Sequence, residues 1–303
     1  MQRRNFIKQT AAVSALLAAG SFGISAFSSA SNRKNITILH TNDTHSRLDP
    51  FPSNDARYAG KGGVARRATL IESIRKENPN TLLLDAGDYF QGTPYFNFYG
   101  GELELKFMSM LGYDAATIGN HEFDNGLEGL LAPLPQANFP IISSNYDFSN
   151  TVLDGFVEKY KIFEKDGVKI GVFGLGVELE GLVTKKLFQE TGYLDPIEIS
   201  QEMTRILKKE KQCDLIICLS HLGYRYEIDK ISDLKLAQNT RDIDLIIGGH
   251  THTFLPKPTV INNIDGQEVI INQVGFGGIN LGRIDFYFEE KQIDEVKSNL
   301  INI

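Results

Sequence analysis

Short apolar runs recur along the chain from residue 36 onwards, and their periodicity changes from run to run. Runs rich in aliphatic and β-branched residues predict strands at 36–40, 81–84, 115–118, 139–143, 169–173, 215–219, 243–247, 269–274 and 283–288. Apolar residues at helical spacing predict helices from 64 to the stop signal at Asn78-Pro79, at 102–111, near 127–131 and at 199–211. This alternation predicts one α/β domain over residues 31–303, built on a large mixed sheet or a pair of sheets.

Residues 1–30 follow a different pattern, with basic residues first, an apolar middle and small residues at the end. That order is typical of a secretory signal peptide. The paired Arg3 and Arg4 resemble a twin-arginine export motif, although an ordinary secretion signal or a retained anchor would share most of these features. We therefore expect export to the periplasm or the extracellular space. We expect no stable membrane anchor, because no other segment is long and apolar enough to span a bilayer.

The charge balance narrows the class of partner. The chain carries 31 Lys and Arg against 38 Asp and Glu, a formal net charge of −7. A protein that binds nucleic acid without regard to sequence needs a basic face, so we expect no nucleic-acid polymer as a partner. With 42% hydrophobic and 23% charged residues, the composition is typical of a folded globular protein rather than a disordered one.

The two cysteines, Cys213 and Cys218, lie on either side of the core of the predicted strand at 215–219. Five residues of extended chain span roughly 16 Å. The Cα atoms of a disulfide lie within roughly 7 Å of each other. We therefore predict that the two thiols are unpaired and buried.

Polar clusters follow five of the predicted strands, each at the point where the strand ends. The clusters are Asn42-Asp43-Thr44-His45, Asp85-Ala86-Gly87-Asp88, Gly119-Asn120-His121-Glu122-Phe123-Asp124, Ser220-His221 and Gly248-Gly249-His250-Thr251-His252. In open α/β sheets the carboxyl ends of the strands form the ligand crevice. We therefore expect these five clusters to lie together in space.

Five of the six histidines fall in these clusters, together with aspartates and an asparagine. Imidazole nitrogen with carboxylate and amide oxygen, and without thiolate, favours divalent Mn, Fe, Co, Ni or Zn. The ligands are too many for one ion and suit a pair. Two ions roughly 3.5–4 Å apart can bind a phosphoryl group and activate a water molecule.

The order of these motifs resembles that of the calcineurin-like dinuclear metallophosphoesterases. It is similar in more detail to the catalytic domain of the secreted 5′-nucleotidase and UDP-sugar hydrolase family, from about Asn35 to the end of the chain. The segments 88–93 and 275–283 add to the likeness. The resemblance implies a four-layer αββα sandwich and a metal-dependent phosphoester hydrolase, in particular a 5′-nucleotidase-type phosphomonoesterase of nucleotide catabolism.

The resemblance also implies a role for each residue at the site. The metal ligands would be Asp43, His45 and His252 for one divalent ion, Asn120, His221 and His250 for the other, and Asp88 as a bridge between the two. His121, positioned by Asp124, would form a catalytic dyad that stabilises the transition state or protonates the leaving oxygen. The substrate would be a small phosphorylated molecule.

The extent of the resemblance leaves the substrate open. Long members of the family add a second domain that orients the nucleoside, and the match here ends with the catalytic fold, so a separate nucleoside-binding chain is one expectation. The aromatic segment 89–99 could instead line a base pocket, although core and loop packing is the commoner role for such a run. A 2′,3′-cyclic phosphodiesterase, a nucleotide-sugar diphosphatase, a sulfur-compound hydrolase and a non-catalytic metal- or phosphate-binding subunit are the alternatives.

Overall fold

Two six-stranded sheets carry the fold in this computed structural model, which describes residues 33–303. The export signal predicted for residues 1–30 lies outside the described residues. Within the described part of the chain, no helix combines the length and the apolar character that a membrane crossing requires.

The chain alternates strands and helices along most of its length. The strands are β1 (Lys34–Thr41), β2 (Thr81–Asp85), β3 (Ala115–Thr117), β4 (Ile141–Ile142), β5 (Tyr146–Asp147), β6 (Tyr160–Lys165), β7 (Val168–Leu175), β8 (Gly192–Tyr193), β9 (Leu215–Ser220), β10 (Leu245–Gly248), β11 (Thr259–Asn262), β12 (Glu268–Asn272), β13 (Asn280–Glu289) and β14 (Gln292–Asn302). The α-helices are α1 (Val64–Glu77), α2 (Pro94–Tyr99), α3 (Glu102–Leu111), α4 (Gly126–Leu131), α5 (Lys185–Phe188), α6 (Pro196–Arg205) and α7 (Asp233–Asn239). Short 3₁₀ turns lie at His121–Phe123 and Leu134–Gln136, and a π-helical turn follows α6 at Ile206–Glu210.

Parallel pairing dominates the middle of both sheets. The first sheet has the order β14-β13-β1-β2-β3-β4 and is parallel from β1 to β4, with β13 and β14 antiparallel. The second has the order β11-β12-β10-β9-β7-β6 and is parallel from β12 to β7, with antiparallel edge strands. Parallel neighbours end on the same side of a sheet, so the loops after β1, β2 and β3 share one edge, and those after β9 and β10 share another.

Side chains alternate between the two faces along each buried strand. In the first sheet, Ile38 and Leu84 point into the core between the sheets, where they join Ile217 and Ile247 of the second sheet. Their neighbour Leu83 belongs instead to the apolar cluster that contains residues of α1 and α3. The alternation therefore gives the first sheet one face toward its partner sheet and one toward helices.

The second sheet is covered in the same way. Ile216 and Cys218 of β9 pack with Leu207 of the π-helical turn and Leu236 of α7. Helices thus lie outside each sheet while the sheets face each other, which confirms the predicted four-layer αββα sandwich. Cys213 and Cys218 are both free and buried, as predicted.

Two predicted helices show how closely local signals set the boundaries. The helix predicted at 102–111 is α3, and it lies between Gly101 and Gly112, whose φ angles of 94° and 71° end the helical path on both sides. The helix predicted at 199–211 begins earlier, as α6, because the Asp195 side chain accepts hydrogen bonds from two N–H groups of the first turn.

The strand predictions are less complete. The strand predicted at 139–143 is limited to Ile141–Ile142, since Pro140 has no N–H to donate to a ladder. No predicted strand corresponds to β5, β6, β8, β11 or β14. β14 is half-exposed and rich in polar residues; it pairs with β13, and only Ile293, Val296 and Ile301 pack against the apolar clusters.

Candidate metal centre

Loops from both sheets meet at one place. Those after β1, β2 and β3 come from the first sheet, and those after β9 and β10 come from the second. They bring together all the residues that the resemblance implies as ligands: Asp43, His45, Asp88, Asn120, His221, His250 and His252. The site therefore depends on the packing of the two sheets against each other.

Asp43, His45 and His252 form the first ligand group. One ligand atom from each residue lies within 4.8 Å of the other two. The Nε2 atoms of His45 and His252 are 2.9 Å apart, and Nε2 of His252 is 3.4 Å from Oδ1 of Asp43. Two ring nitrogens and a carboxylate oxygen thus point at one small volume, an arrangement that suits a divalent cation.

Asp88, His221 and His250 form the second ligand group, with Asn120 beside them. The three titratable residues again offer atoms within 4.8 Å of one another. Nδ1 of His250 lies 2.8 Å from Oδ1 of Asn120. Burial, helped by the nearby His221, lowers the pKa of His250 to about 4, so this ring is neutral at neutral pH and can act as a ligand.

Asp88 lies between the two groups. Besides its place in the second group, its carboxylate lies within 4.8 Å of ring nitrogens of His45 and His121. Its Oδ1 accepts a hydrogen bond of 2.9 Å from the backbone N–H of His121, and its Oδ2 lies 3.0 Å from Nε2 of His221. The two oxygens therefore face different parts of the site, as a carboxylate shared by two ions requires.

The surroundings of His221 test whether the second group fits a cation. Nδ1 lies 2.7 Å from the carbonyl oxygen of Ala86, which can only accept, so Nδ1 carries the proton. Nε2 is buried and makes no hydrogen bond, although Oδ2 of Asp88 is 3.0 Å away. Burial opposes a charge on the ring, but Asp88 outweighs it and raises the pKa of His221 to about 10. Nε2 of His221 and Oδ2 of Asp88 therefore require a proton or a metal ion between them. A ring nitrogen and a carboxylate oxygen are suitable ligands for a divalent ion, so the second group fits a metal.

The backbone of the ligand loops adopts an uncommon conformation. Asp43, His45, Asp88, His250 and His252 all have positive φ angles, between 48° and 70°. This region costs a residue other than glycine of order 1–3 kcal/mol, and it persists only where the surrounding structure enforces it. Its concentration on the candidate ligands indicates loops shaped for the site rather than for stability.

Two glycines give the ligands room. A Cβ atom on Gly119 would collide with the Asp88 carboxylate and the His221 ring, and one on Gly249 would lie 2.8 Å from Nδ1 of His221. Contacts this close do not occur for real Cβ atoms, so a side chain at either position would displace the buried ligands.

His121 and Asp124 lie beside the ligand groups. Nδ1 of His121 donates a hydrogen bond of 2.8 Å to Oδ2 of Asp124. That bond, together with the nearby carboxylates, outweighs the effect of burial and raises the pKa of His121 to about 9. The side chain is 34% exposed, so a charged ring faces the open side of the site.

Glu122 has a part in the site that the sequence does not reveal. Its buried carboxylate accepts backbone hydrogen bonds from Asp88 at 2.9 Å, Phe90 at 3.0 Å and Gly119 at 2.6 Å. It therefore ties the loop after β2 to the loop after β3. No signal in the sequence points to these three partners.

A cavity of about 290 Å³ opens beside the first ligand group. Its walls are formed by His45, Arg47, Phe51, Gln91, Gly92, His121, His252, Phe276 and Gly277. None of the six rings of the aromatic segment 89–99 lines this cavity, and three of them, Tyr89, Phe90 and Phe96, are buried in the core. Those three rings therefore serve packing, the commoner of the two roles considered for this segment.

Comparison with known proteins adds to this geometry. The family model described as Calcineurin-like phosphoesterase matches residues 36–254. The trifunctional nucleotide phosphoesterase protein YfkN of Bacillus subtilis (strain 168) is 38% identical over 298 residues, which cover 88% of this chain and 19% of YfkN. The snake venom 5′-nucleotidase of Gloydius brevicauda is 36% identical over 288 residues, which cover 88% of this chain and 47% of that protein.

A solved structure is similar over the same region. The 5′-nucleotidase precursor from Thermus thermophilus superposes with a TM-score of 0.81 at 33% identity, and the match covers 89% of this chain and 55% of that one. The chain thus spans about half, or less, of the length of these relatives.

Proposed function

This chain belongs to the calcineurin-like phosphoesterases, and from that premise we propose that it is a metal-dependent phosphomonoester hydrolase of the 5′-nucleotidase type. The observation that carries the proposal is the position of Asp88, whose carboxylate lies within 4.8 Å of a ring nitrogen of His45 in the first group and of His221 and His250 in the second. The 5′-nucleotidases among the similar proteins support a nucleotide as the substrate.

We assign a divalent ion to each ligand group. The proposed ligands are Asp43, His45 and His252 for the first ion, Asn120, His221 and His250 for the second, and Asp88 for both. Their nitrogen and oxygen atoms suit Mn, Zn, Fe, Co or Ni. When bound, such a pair would neutralise charge on the phosphoryl oxygens and supply an activated water for attack at phosphorus.

The protein's own contribution to the reaction centres on His121. Because Asp124 holds Nδ1, Nε2 is the ring atom left to face a substrate. In its charged form, the ring stabilises negative charge in the transition state or gives the Nε2 proton to the leaving oxygen. Asp124 keeps the ring in this orientation and favours its charged form.

The choice of phosphoester depends on how the nucleoside is recognised. We propose that a separate nucleoside-binding chain completes the site, because Tyr89, Phe90 and Phe96 are buried in the core and cannot stack on a base. Binding energy far from phosphorus orients a nucleotide for attack. Without it, hydrolysis of 5′-nucleotides should be weak and nearly indifferent to the base.

We also propose that the protein is exported by the twin-arginine route, on the basis of residues 1–30. Replacing Arg3 and Arg4 by lysine in the full chain should leave the protein in the cytoplasm. Normal export of that variant would contradict the route.

Steady-state kinetics of the Mn- or Zn-loaded protein test the function. Four substrates separate the alternatives: AMP, UDP-glucose, a 2′,3′-cyclic nucleotide and a simple aryl phosphate. We expect slow hydrolysis of AMP and the aryl phosphate, with two ions per chain by elemental analysis. Clear preference for UDP-glucose or the cyclic nucleotide would replace the proposed reaction, and a strong preference for one nucleotide would contradict the separate chain. Two bound ions with no turnover would indicate a binding subunit.

A further inference from the structure

The cavity beside the first ligand group contains a cationic side chain that the metal assignment does not use. Arg47 lines this cavity together with His45, His121 and His252. Its guanidinium lies over the ring of Phe51, 4.2 Å from the ring centroid. A guanidinium presents several N–H donors in one plane and matches the oxygens of a phosphate better than any other side chain.

The acidic residues near Arg47 are engaged elsewhere. Asp49 accepts a hydrogen bond of 2.6 Å from the hydroxyl of Tyr95. Asp55 accepts from the backbone N–H groups of Arg57 and Tyr58; these two bonds, with Arg47 contributing at longer range, lower the pKa of Asp55. Between residues 33 and 303, the guanidinium of Arg47 forms no ion pair with a carboxylate, so its donors are available to a ligand.

The position of Arg47 is fixed before a ligand arrives. The backbone N–H of Arg47 donates to the carbonyl oxygen of Thr44 at 3.0 Å. The backbone N–H of the neighbouring Ser46 donates to the carbonyl oxygen of Tyr89 at 3.0 Å. Phe51, which supports the guanidinium, is itself held by backbone hydrogen bonds and by ring contacts with Tyr58 and Phe276. A donor held in this way loses less conformational freedom on binding.

We propose that Arg47 binds a phosphate oxygen of the substrate at the mouth of the metal centre. This inference rests on the proposed function, because it assumes that the anion entering the cavity is a phosphoester. The oxygen could belong to the transferred phosphoryl group or to a second phosphate next to it. Both sources present the same chemistry to the guanidinium, and the experiment separates them.

Three variants test the inference. Arg47→Gln removes the charge and the planar set of donors, and Arg47→Lys keeps the charge alone. Arg57→Gln is the matched control, because Arg57 lies in the same segment, is exposed and does not line the cavity. Each metal-loaded protein is titrated with inorganic phosphate by calorimetry, its KM and kcat are measured with AMP and UDP-glucose, and its metal content is determined.

A hydrogen bond to a charged group contributes enough that Arg47→Gln should weaken phosphate binding by roughly tenfold to a hundredfold. Arg47→Lys should recover part of that loss, and Arg57→Gln should bind phosphate as the unmodified protein does. Weaker binding of inorganic phosphate indicates contact with the transferred group. A loss confined to the KM for UDP-glucose indicates contact with a second phosphate.

Other results would overturn the role of Arg47. Unchanged affinity for every ligand in Arg47→Gln, an equal loss in Arg57→Gln, or loss of metal from Arg47→Gln would each do so. The binding measurement does not depend on turnover. An unmodified protein that binds phosphate through Arg47 and hydrolyses nothing would contradict the proposed function and leave this inference standing.

Discussion

His221 and His252 have the same chemistry and corresponding places in the second and first ligand groups, but they differ in exposure. The side chain of His221 is completely buried, whereas that of His252 is 40% exposed. The ring of His221 is held through Nδ1 by the carbonyl of Ala86. The ring of His252 stacks on Phe276 at the wall of the cavity.

This difference gives the site a closed side and an open side. On the closed side, Gly119 and Gly249 let the backbone lie directly against the buried ring of His221. On the open side, Arg47, His121 and His252 line the same cavity. A substrate should therefore approach from the first ligand group, while the second ligand group acts as a fixed support.

The largest expected effect comes from Asp88, because it belongs to both sides. Asp88→Asn removes the negative charge that lies within reach of both groups. We expect loss of both ions by elemental analysis and a fall of hydrolysis to the background rate. Retention of one ion at full occupancy would show that Asp88 serves a single group, and the two sides would then be independent sites.

The next effect separates the two sides directly. His221→Ala and His252→Ala make the same chemical change, and each should remove one ion and most of the turnover. His221→Ala also leaves the buried carbonyl of Ala86 without its donor, which should lower the free energy of unfolding of the metal-free protein by about 1–3 kcal/mol. His252→Ala should leave that free energy nearly unchanged, because its ring is partly solvated.

Denaturant unfolding of the two metal-free variants measures this difference. Equal destabilisation would contradict the distinction between a closed and an open side. Retention of both ions by either variant at low metal concentration would contradict the assignment of the replaced histidine as a metal ligand.

The same contrast explains how much of the molecule the sequence predicts. The helix at 102–111 and the buried strands can be predicted because their signals are local: apolar spacing, flanking glycines and runs of β-branched residues. β14 cannot, because its few apolar residues, such as Ile293 and Val296, are scattered among polar ones and its place in the sheet depends on pairing with β13. Its pattern alone is that of an exposed segment.

At the site, the residue types that follow recognisable strands predict the five polar clusters, and the resemblance then implies which of their residues are ligands. The roles of Glu122 and Arg47 depend instead on contacts between distant loops. Glu122 acts through backbone N–H groups of two loops, and Arg47 shares its cavity with His121 and His252, which lie on loops distant in the sequence. No spacing in the sequence encodes either contact, so a folded structure is needed to find them.

The smallest of these effects concerns His121, which lies on the open side and is assigned to the reaction rather than to a metal ion. His121→Asn keeps a polar side chain of similar reach but cannot carry the proton. We expect two ions to remain bound and turnover to fall by roughly 10²–10⁴, the usual contribution of a general acid. Loss of an ion would make His121 a ligand, which its distance from His45 and Asp88 also allows.

The choice of substrate separates the two roles proposed for the Nε2 proton. An aryl phosphate releases a stable anion that needs little help from an acid, whereas AMP releases a basic alkoxide that must be protonated. If His121 protonates the leaving oxygen, His121→Asn should lose more activity toward AMP than toward the aryl phosphate. If the ring acts only on phosphoryl charge, the two losses of activity should be equal.

Asp124→Asn is the companion variant, because it leaves the ring of His121 in place but removes the carboxylate that orients it. Its loss of activity toward each of the two substrates should be smaller than that of His121→Asn. The substrate that loses more activity in His121→Asn should also lose more in Asp124→Asn.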